Sequence, residues 1–179
     1  MPENGICITA QHINDQTETV LLQLLRGAGV HGLAAMPASK NFAQGRLLRP
    51  LLGHSRESLN DYARSHQLVW VEDPSNRDHQ FDRNFLRHEI LPVLRQRWPG
   101  LDKSLSRSAG HAASAATMLD EIAESDLLHC QVTCNHFFPP AITSLRVDLL
   151  TDLSTIHQKN ALRYWTRMHG LSLPGDERL

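Results

Sequence analysis

The sequence predicts an α/β fold in which a parallel sheet with interleaved helices is followed by an all-helical region. Three short apolar stretches, GICITA, RLLRPLL and LVWVED, are bounded by turn-forming residues, as buried strands are. Amphipathic helical segments separate them, and strands that alternate with helices indicate βαβ units with a parallel sheet. From Phe81 onward the apolar spacing is almost wholly helical. We therefore expect an α/β layer over about residues 5–71 and helices after it.

A polar turn joins the first predicted strand to the first predicted helix. Apolar residues recur at helical spacing over Val20–Leu25, and Arg26 followed by Gly27 indicates the helix end. Asp15 with Glu18 three residues later resembles a capping box at the helix start. The carboxyl ends of strands in open α/β sheets are where ligands bind, and the N–H groups of a helix N-terminus favour anions. The turn is therefore the predicted ligand site.

The later elements follow from the same patterns. Ser55 is in position to cap a helix. Pro92 lacks a backbone N–H, so we expect it to bend or break the helix that begins near Phe81. A long alanine-rich helix, a short strand at 144–148 and a last helix at 157–169 follow. The apolar residues expected on the buried side of the alanine-rich helix are Leu105, Ala112, Leu119 and Ile122.

Composition limits the class of protein. With 179 residues, 41% of them hydrophobic, the chain can form one large domain or two small ones. The net charge of −1 does not by itself indicate a nucleic-acid partner. The three cysteines Cys7, Cys130 and Cys134 are sparse, as reduced thiols in a cytosolic protein are, and their spacing fits structural zinc poorly. No signal peptide or run of membrane-spanning length occurs, so we expect a cytoplasmic protein without a membrane partner.

Four stretches of the sequence resemble a known family. AQHINDQTETVLLQLLRGAGVHGLAAM, RLLRPLL, WVEDPSN and FDRNFLRHEILPVLRQRWP follow one another in the order and spacing of the tRNA(Ile)-lysidine synthetases, ATP-dependent ligases of the PP-loop family. The resemblance is specific over about residues 5–98 and looser beyond. It implies that residues 1–100 form the C-terminal part of a Rossmann-like PP-loop domain, of the adenine nucleotide alpha hydrolase-like type. Residues 101–179 are then a helical, tRNA-binding substrate domain, truncated at its C-terminus.

The resemblance also implies a reaction and its cofactors. In this family ATP, with Mg²⁺, adenylates C2 of the wobble cytidine in an isoleucine tRNA with a CAU anticodon, and L-lysine then displaces AMP to give lysidine. The Ser-Gly-Gly-x-Asp-Ser loop with which the family holds phosphate and Mg²⁺ does not occur in this sequence. The expectation is a fragment that lacks the N-terminal ATP-pyrophosphate loop and does not adenylate tRNA by itself.

His12 and Asp15 are the predicted catalytic residues. An imidazole and a carboxylate at a helix mouth can orient a nucleotide, bind Mg²⁺ through Asp15 or stabilise an adenylated intermediate, and the resemblance places the matching residues in the active site. The alternative is that Asp15 only caps the helix and that His12 satisfies the turn. For Glu18 and Thr19, the alternative is that a first-turn carboxylate only stabilises the helix dipole. For Arg26 and Gly27, the alternative is a helix C-cap with a solvated arginine. The residues predicted to bind the cofactor are Gln16, Glu18, Thr19, Arg26 and Gly27.

A basic helical segment is predicted to bind RNA. Arg83 and Arg87 are four residues apart on one helix face, with Asn84 beside them and Arg77 just upstream. Guanidinium groups match the geometry of phosphate oxygens. The alternative is that these arginines form solvated ion pairs with acidic neighbours.

Two other functions stay open on the sequence. One is a non-catalytic RNA-binding remnant, which keeps the basic segment and has no ATP chemistry. The other is a different PP-loop tRNA-modifying enzyme such as a cytidine thiolase. Thiolases typically carry cysteine pairs for a metal cluster or persulfide, which Cys7, Cys130 and Cys134 do not supply.

Overall fold

A computed structural model describes residues 4–71, 81–132 and 144–171 of the chain. The chain divides into two compact units, residues 1–113 and 114–179. The predicted boundary at residue 100, between an ATP-binding domain and a substrate-binding domain, stays a prediction. In chain order the elements are β1 (Ile6–Ile8), α1 (Ile13–Leu25), α2 (Val30–Leu33), β2 (Ser39–Phe42), β3 (Gly45–Leu48), α3 (Arg56–Ser65), α4 (Asp82–Phe85), a π-helical turn (Leu86–Ile90), α5 (Leu91–Arg97), α6 (Leu101–Cys130), β4 (Gln131–Val132), β5 (Ser144–Leu145), α7 (Val147–Thr151) and α8 (Thr155–Met168).

A three-stranded sheet forms the β layer of the first unit, in the order β1-β3-β2. β1 and β3 are parallel, with Cys7 opposite Leu47, as the sequence predicts for GICITA and RLLRPLL. β2 pairs antiparallel with β3, with Phe42 opposite Gly45. Leu47 on the central strand is buried. The α/β class is therefore confirmed, and the sheet is mixed rather than purely parallel.

The strands of the structure differ from the predicted ones in two places. β2 is not predicted, because SKNF lacks apolar alternation and its two-residue turn, with Ala43 at φ 50°, lacks the Asn-Gly or Asp-Gly signal of a tight hairpin. LVWVED forms no strand over its described part, residues 68–71, where Val69 and Val71 are exposed. Residues 68–71 therefore add no strand to the sheet β1-β3-β2.

The capping box of α1 lies three residues earlier than predicted. The N-cap is His12, whose Nδ1 accepts a hydrogen bond from the backbone N–H of Asp15 at 3.4 Å. The Asp15 carboxylate accepts in return from the backbone N–H of His12 at 3.0 Å. The predicted box between Asp15 and Glu18 is therefore wrong, and Glu18 makes its contacts outside the helix. At the other end the helix stops as predicted, with Gly27 at a φ of 68°.

The most deeply buried face of α1 is polar. Gln16, Thr17 and Glu18 are buried, whereas Leu24 and Leu25 are exposed. Val20 and Ile13 are buried with these polar residues, so the apolar spacing of this helix marks its buried side only in part. A polar face can be buried only where each polar group has a hydrogen-bond partner.

The helix around Pro92 continues through a π-helical turn. Pro92 has no N–H to donate, so a regular helix would lose a hydrogen bond there. The chain instead forms the π-helical turn Leu86–Ile90 and places Pro92 in the first turn of α5. The expected bend or break thus takes the form of a π-bulge, a feature often found at functional sites.

The π-helical turn also changes which side chains are buried. An extra residue in one turn rotates every later side chain relative to the earlier ones. Leu86 and Leu91 are buried, whereas the apolar residues that recur at regular helical spacing in the sequence are exposed at Phe85 and Val93. A constant period of 3.6 therefore predicts the wrong face here.

Small side chains and Leu127 form the buried stripe of α6 in the second unit. Ala116 and Ala123 on α6 are buried seven residues apart, and Ala161 of α8 is fully buried. The predicted stripe is wrong at Ile122, which is exposed. Asp126 of α6 pairs with His157 of α8 at 2.7 Å. None of the described helices combines the length and the apolar character that a bilayer crossing requires.

Candidate active site

His12 and Asp15 lie at the first turn of α1, directly after the segment that follows β1. Both side chains are largely buried, with an exposed fraction of 16% each. Burial lowers the pKa of His12 and outweighs the nearby Asp15 and Glu18 carboxylates, which act in the opposite direction. The imidazole is therefore neutral at pH 7, and because Nδ1 accepts the capping hydrogen bond, the ring proton is assigned to Nε2.

Glu18 is a buried carboxylate that Arg87 holds in a bidentate pair. Its side chain is 1% exposed, and Arg87 donates from Nε to Oε1 at 2.6 Å and from Nη2 to Oε2 at 2.9 Å. The same Nη2 lies 3.3 Å from Oδ1 of Asp15. The hydrogen bond to Glu18 raises the pKa of Arg87. One arginine thus joins the two acidic residues of the predicted site to the π-helical turn.

Arg83 contacts the same helix from a more exposed position. Its Nε lies 3.3 Å from Oε2 of Glu18, and its Nη2 donates to Oγ1 of Thr19 at 2.8 Å. The side chain of Arg83 is 46% exposed, against 21% for Arg87. The structure thus gives both arginines carboxylate partners on α1, and the RNA-binding role stays a prediction. Asn84 is buried beside them, and Arg77 lies outside the described residues.

The other residues predicted to bind the cofactor have protein partners of their own. Gln16 forms two hydrogen bonds with the backbone of Met36, both 3.1 Å long. Arg26 lies 3.6 Å from Asp82, with both side chains exposed. Gly27 has open space where a Cβ would lie, so its positive φ, and not crowding, explains the glycine. Their cofactor contacts stay predictions.

A cavity of about 550 Å³ opens beside His12. It lies within the first unit, between α1, α3, the π-helical turn and the start of α6. Its lining includes His12, Asn14, Glu18, Arg56, Arg87 and Asp102. A second cleft, of about 400 Å³, lies along the C-terminal half of α1 and is lined by Thr19, Arg26, Phe81 and Arg83 among others.

Asp102 is a site residue that the sequence does not indicate. Its carboxylate accepts from Oγ1 of the fully buried Thr17 at 2.6 Å and from Arg95 in two bonds of 2.9 Å. Burial would raise the pKa of the Asp102 carboxyl, but the hydrogen bonds from Arg95 and Thr17 outweigh it and lower the pKa. Thr17 lies 85 residues from Asp102 in the sequence and Arg95 lies 7 residues away, so no local sequence motif predicts these contacts. This contact fixes the start of α6 against α1.

A further long-range contact fixes α3 against α1. Asn14 accepts the backbone N–H of Arg56 through Oδ1 at 2.9 Å, and the backbone N–H of Ile13 donates to the carbonyl of His54 at 2.9 Å. Ser55 caps α3, as predicted, by accepting from the N–H of Ser58. The cap is visible in the sequence, whereas the docking of α3 beside His12 is not.

Asp15 is the predicted Mg²⁺ ligand, and this role stays a prediction. Among the residues that the structure describes, no group of three or more His, Cys, Asp or Glu side chains could hold a metal ion. Asp15 offers one carboxylate, which also accepts from the backbone N–H of His12 and from Arg87. Mg²⁺ is commonly bound through one or two carboxylates, with phosphates and water supplying the other ligands.

Comparison with known proteins links this site to a family. Residues 2–94 match the family of PP-loop domains. The chain is 47% identical over all 179 residues to the tRNA(Ile)-lysidine synthase of Coxiella burnetii, of which it covers 38%. It is 48% identical over 162 residues, 90% of the chain, to the synthase of Pseudomonas fluorescens, covering 36% of that protein. Over 172 residues, 96% of the chain, it is 44% identical to the synthase of Serratia proteamaculans, again covering 38%. The chain thus spans less than two fifths of the length of these curated relatives.

Proposed function

This chain belongs to the family of PP-loop domains, and from that premise we propose that it is part of an ATP-dependent ligase that modifies a tRNA. The substrate would be an isoleucine tRNA with a CAU anticodon, and L-lysine would be joined to C2 of its wobble cytidine through an adenylated intermediate. The observation that carries the proposal is the 47% identity to a tRNA(Ile)-lysidine synthase over the whole chain. The position of His12 and Glu18 on one cavity supports it.

The tautomer of His12 suggests its chemical role. Nδ1 accepts the capping hydrogen bond, so Nε2–H is the ring donor left for a ligand. A neutral N–H donor in a largely buried position stabilises negative charge that develops on a phosphate or leaving oxygen. We assign His12 to hold an oxyanion of the adenylated nucleotide, with Asp15 fixing its backbone through the reciprocal cap.

ATP and Mg²⁺ are the cofactors of the proposal. A PP-loop domain implies the use of ATP. Mg²⁺ would take one carboxylate oxygen from Asp15, whose two oxygens have lone pairs beyond those used by His12 N–H and Arg87. The metal would supply charge neutralisation at the phosphates.

The proposed function is tested in a chimera in which this chain replaces the aligned segment of the Coxiella burnetii relative. We expect the chimera to incorporate labelled lysine into the CAU isoleucine tRNA in an ATP-dependent manner, and not into an isoleucine tRNA without a wobble cytidine. The 179-residue chain by itself is expected to incorporate none, because its sequence lacks the Ser-Gly-Gly-x-Asp-Ser motif. A folded chimera that binds the tRNA but incorporates no lysine would favour the RNA-binding remnant instead.

Arg83 is the proposed RNA contact of the basic segment. Its guanidinium is nearly half exposed on the second cleft, so it can reach a phosphate while Arg87 keeps Glu18 paired. A lost phosphate contact weakens binding and lowers the salt slope by somewhat less than about one unit. We expect Arg83→Ala to do both in a salt titration of tRNA binding by the chimera. Arg83→Lys should restore part of the affinity, because an ammonium cannot bind phosphate bidentately. An unchanged slope in a folded variant would assign Arg83 to ion pairing alone.

A further inference from the structure

Arg56 differs from the other arginines of the 550 Å³ cavity in having no acidic partner among the residues that the structure describes. Arg64 lies 3.7 Å from Asp61, Arg87 is 2.6 Å from Glu18 and Arg95 is 2.9 Å from Asp102. No described carboxylate lies within 4 Å of the Arg56 guanidinium. The cavity therefore contains one cation whose charge the described part of the protein does not neutralise by contact.

The position of Arg56 is fixed although its side chain is exposed. Its backbone N–H donates to Oδ1 of Asn14 at 2.9 Å, and Asn14 belongs to the same first turn of α1 as Asp15. The neighbouring hydrogen bond from Ile13 N–H to His54 carbonyl holds the approach to α3 against α1 as well. The backbone that carries the Arg56 side chain is thus hydrogen-bonded to the predicted catalytic turn.

Local helix stability does not account for an arginine here. Arg56 is the first residue of α3, where a positive charge opposes the helix dipole. A negative charge at this position is favourable, and Glu57 next in sequence already supplies one. Arg56 also acts on His12, since its charge is among the influences that lower the pKa of the imidazole. The guanidinium is therefore electrostatically coupled to the site and unfavourable for its own helix.

We propose that Arg56 binds a phosphodiester group of the RNA substrate at the rim of the cavity, next to the nucleotide that reacts at His12. This inference rests on the proposed function and adds a residue that neither the sequence patterns nor the family match assigns. One unpaired guanidinium balances one negative charge, which matches a phosphodiester. A nucleoside triphosphate carries several charges, and Glu57 and Asp61 on the same wall would repel it more strongly.

The exposure of Arg56 also favours a polymer. A small ligand is usually enclosed on most sides by its site. An exposed side chain on an open rim instead meets the backbone of a large substrate whose reacting base enters the cavity. Phosphate contacts of this kind position the substrate and carry no sequence information.

The test compares Arg56→Ala with Arg64→Ala in a salt titration of tRNA binding, without ATP or lysine. Both arginines are exposed on α3, but Arg64 already pairs with Asp61. In the 179-residue chain and in the chimera, we expect Arg56→Ala to weaken binding about tenfold and to lower the salt slope by somewhat less than about one unit. Arg64→Ala should change the affinity less than about twofold. Arg56→Lys should recover part of the loss.

Steady-state kinetics of the chimera separate the possible anions. We expect Arg56→Ala to raise the KM for tRNA about tenfold and to leave those for ATP and lysine within about twofold of wild type. A raised KM for ATP or lysine with unchanged RNA binding would overturn the inference, because the anion would then be a triphosphate or a carboxylate. Unchanged RNA binding by folded Arg56→Ala, where wild type binds, would overturn the inference alone. Failure of the wild-type chain and chimera to bind tRNA would overturn the proposed function with it.

Discussion

Replacing His12 with asparagine in the chimera is expected to lower turnover about a hundredfold and to leave the fold intact. Asparagine is one of the best N-cap residues, so its side chain can still accept the N–H of Asp15. The imidazole Nε2–H, which we assign to a substrate oxyanion, is lost. The measurement is the rate of lysine incorporation at saturating ATP, lysine and tRNA, with circular dichroism and the melting temperature as controls of folding.

Asp15→Asn provides a matched change at the other member of the cap. The amide oxygen can still accept the N–H of His12, whereas the negative charge available to Mg²⁺ and Arg87 is removed. We expect turnover to fall to a similar degree and the requirement for Mg²⁺ to rise. His12→Ala, which removes cap and imidazole together, should also cost about 1 kcal/mol of stability. Wild-type turnover in His12→Asn would show that this residue only caps the helix.

Arg87→Leu is expected to destabilise the protein by about 3 kcal/mol. The substitution leaves the fully buried Glu18 carboxylate without its bidentate partner, and an uncompensated buried charge is among the most costly single changes. Arg83 remains at 3.3 Å and offsets part of the loss. The measurement is the free energy of unfolding in urea, in the 179-residue chain and in the chimera.

Two further variants identify the origin of that loss. In Glu18→Gln/Arg87→Leu no buried charge is left, so we expect the double variant to be more stable than Arg87→Leu. Arg83→Leu removes a longer and more exposed contact and should cost less than about 1 kcal/mol. If Arg87→Leu were as stable as wild type, the pair with Glu18 would contribute nothing to folding. Arg87 would then be available for the RNA contact that the sequence predicts.

Local patterns correctly predicted part of the secondary structure around the candidate site. GICITA forms a strand, the helix after it ends at Gly27, and Ser55 caps α3, because each depends on residues within one turn of each other. His12 and Glu18 do line one cavity, as their position after a strand suggests. The location of the capping box was missed because a histidine seldom serves as an N-cap, and the pattern Asp-x-x-Glu is the more familiar signal.

The buried faces of α1 and of the helix around Pro92 follow apolar periodicity only in part. On α1 the buried residues include Gln16, Thr17 and Glu18, whose partners are a loop backbone, Asp102 and Arg87. A hydrophobic pattern predicts that polar side chains face solvent. They can be buried where residues distant in the sequence supply hydrogen-bond partners. Around Pro92 the π-helical turn changed the period itself.

The sequence by itself determined the α/β class, the family and the presence of a His–Asp turn at the start of a helix. It did so because apolar runs, helix ends and family motifs are properties of contiguous residues. Only the tertiary structure decided that Arg87 pairs with Glu18, that Asp102 joins Thr17, and that α3 brings Arg56, which has no acidic partner in the described part of the chain, to the cavity of His12. These contacts join residues 69, 85 and 42 positions apart. The packing of the helices determines which acidic side chain pairs with which basic one, and residue spacing in the sequence does not predict that packing.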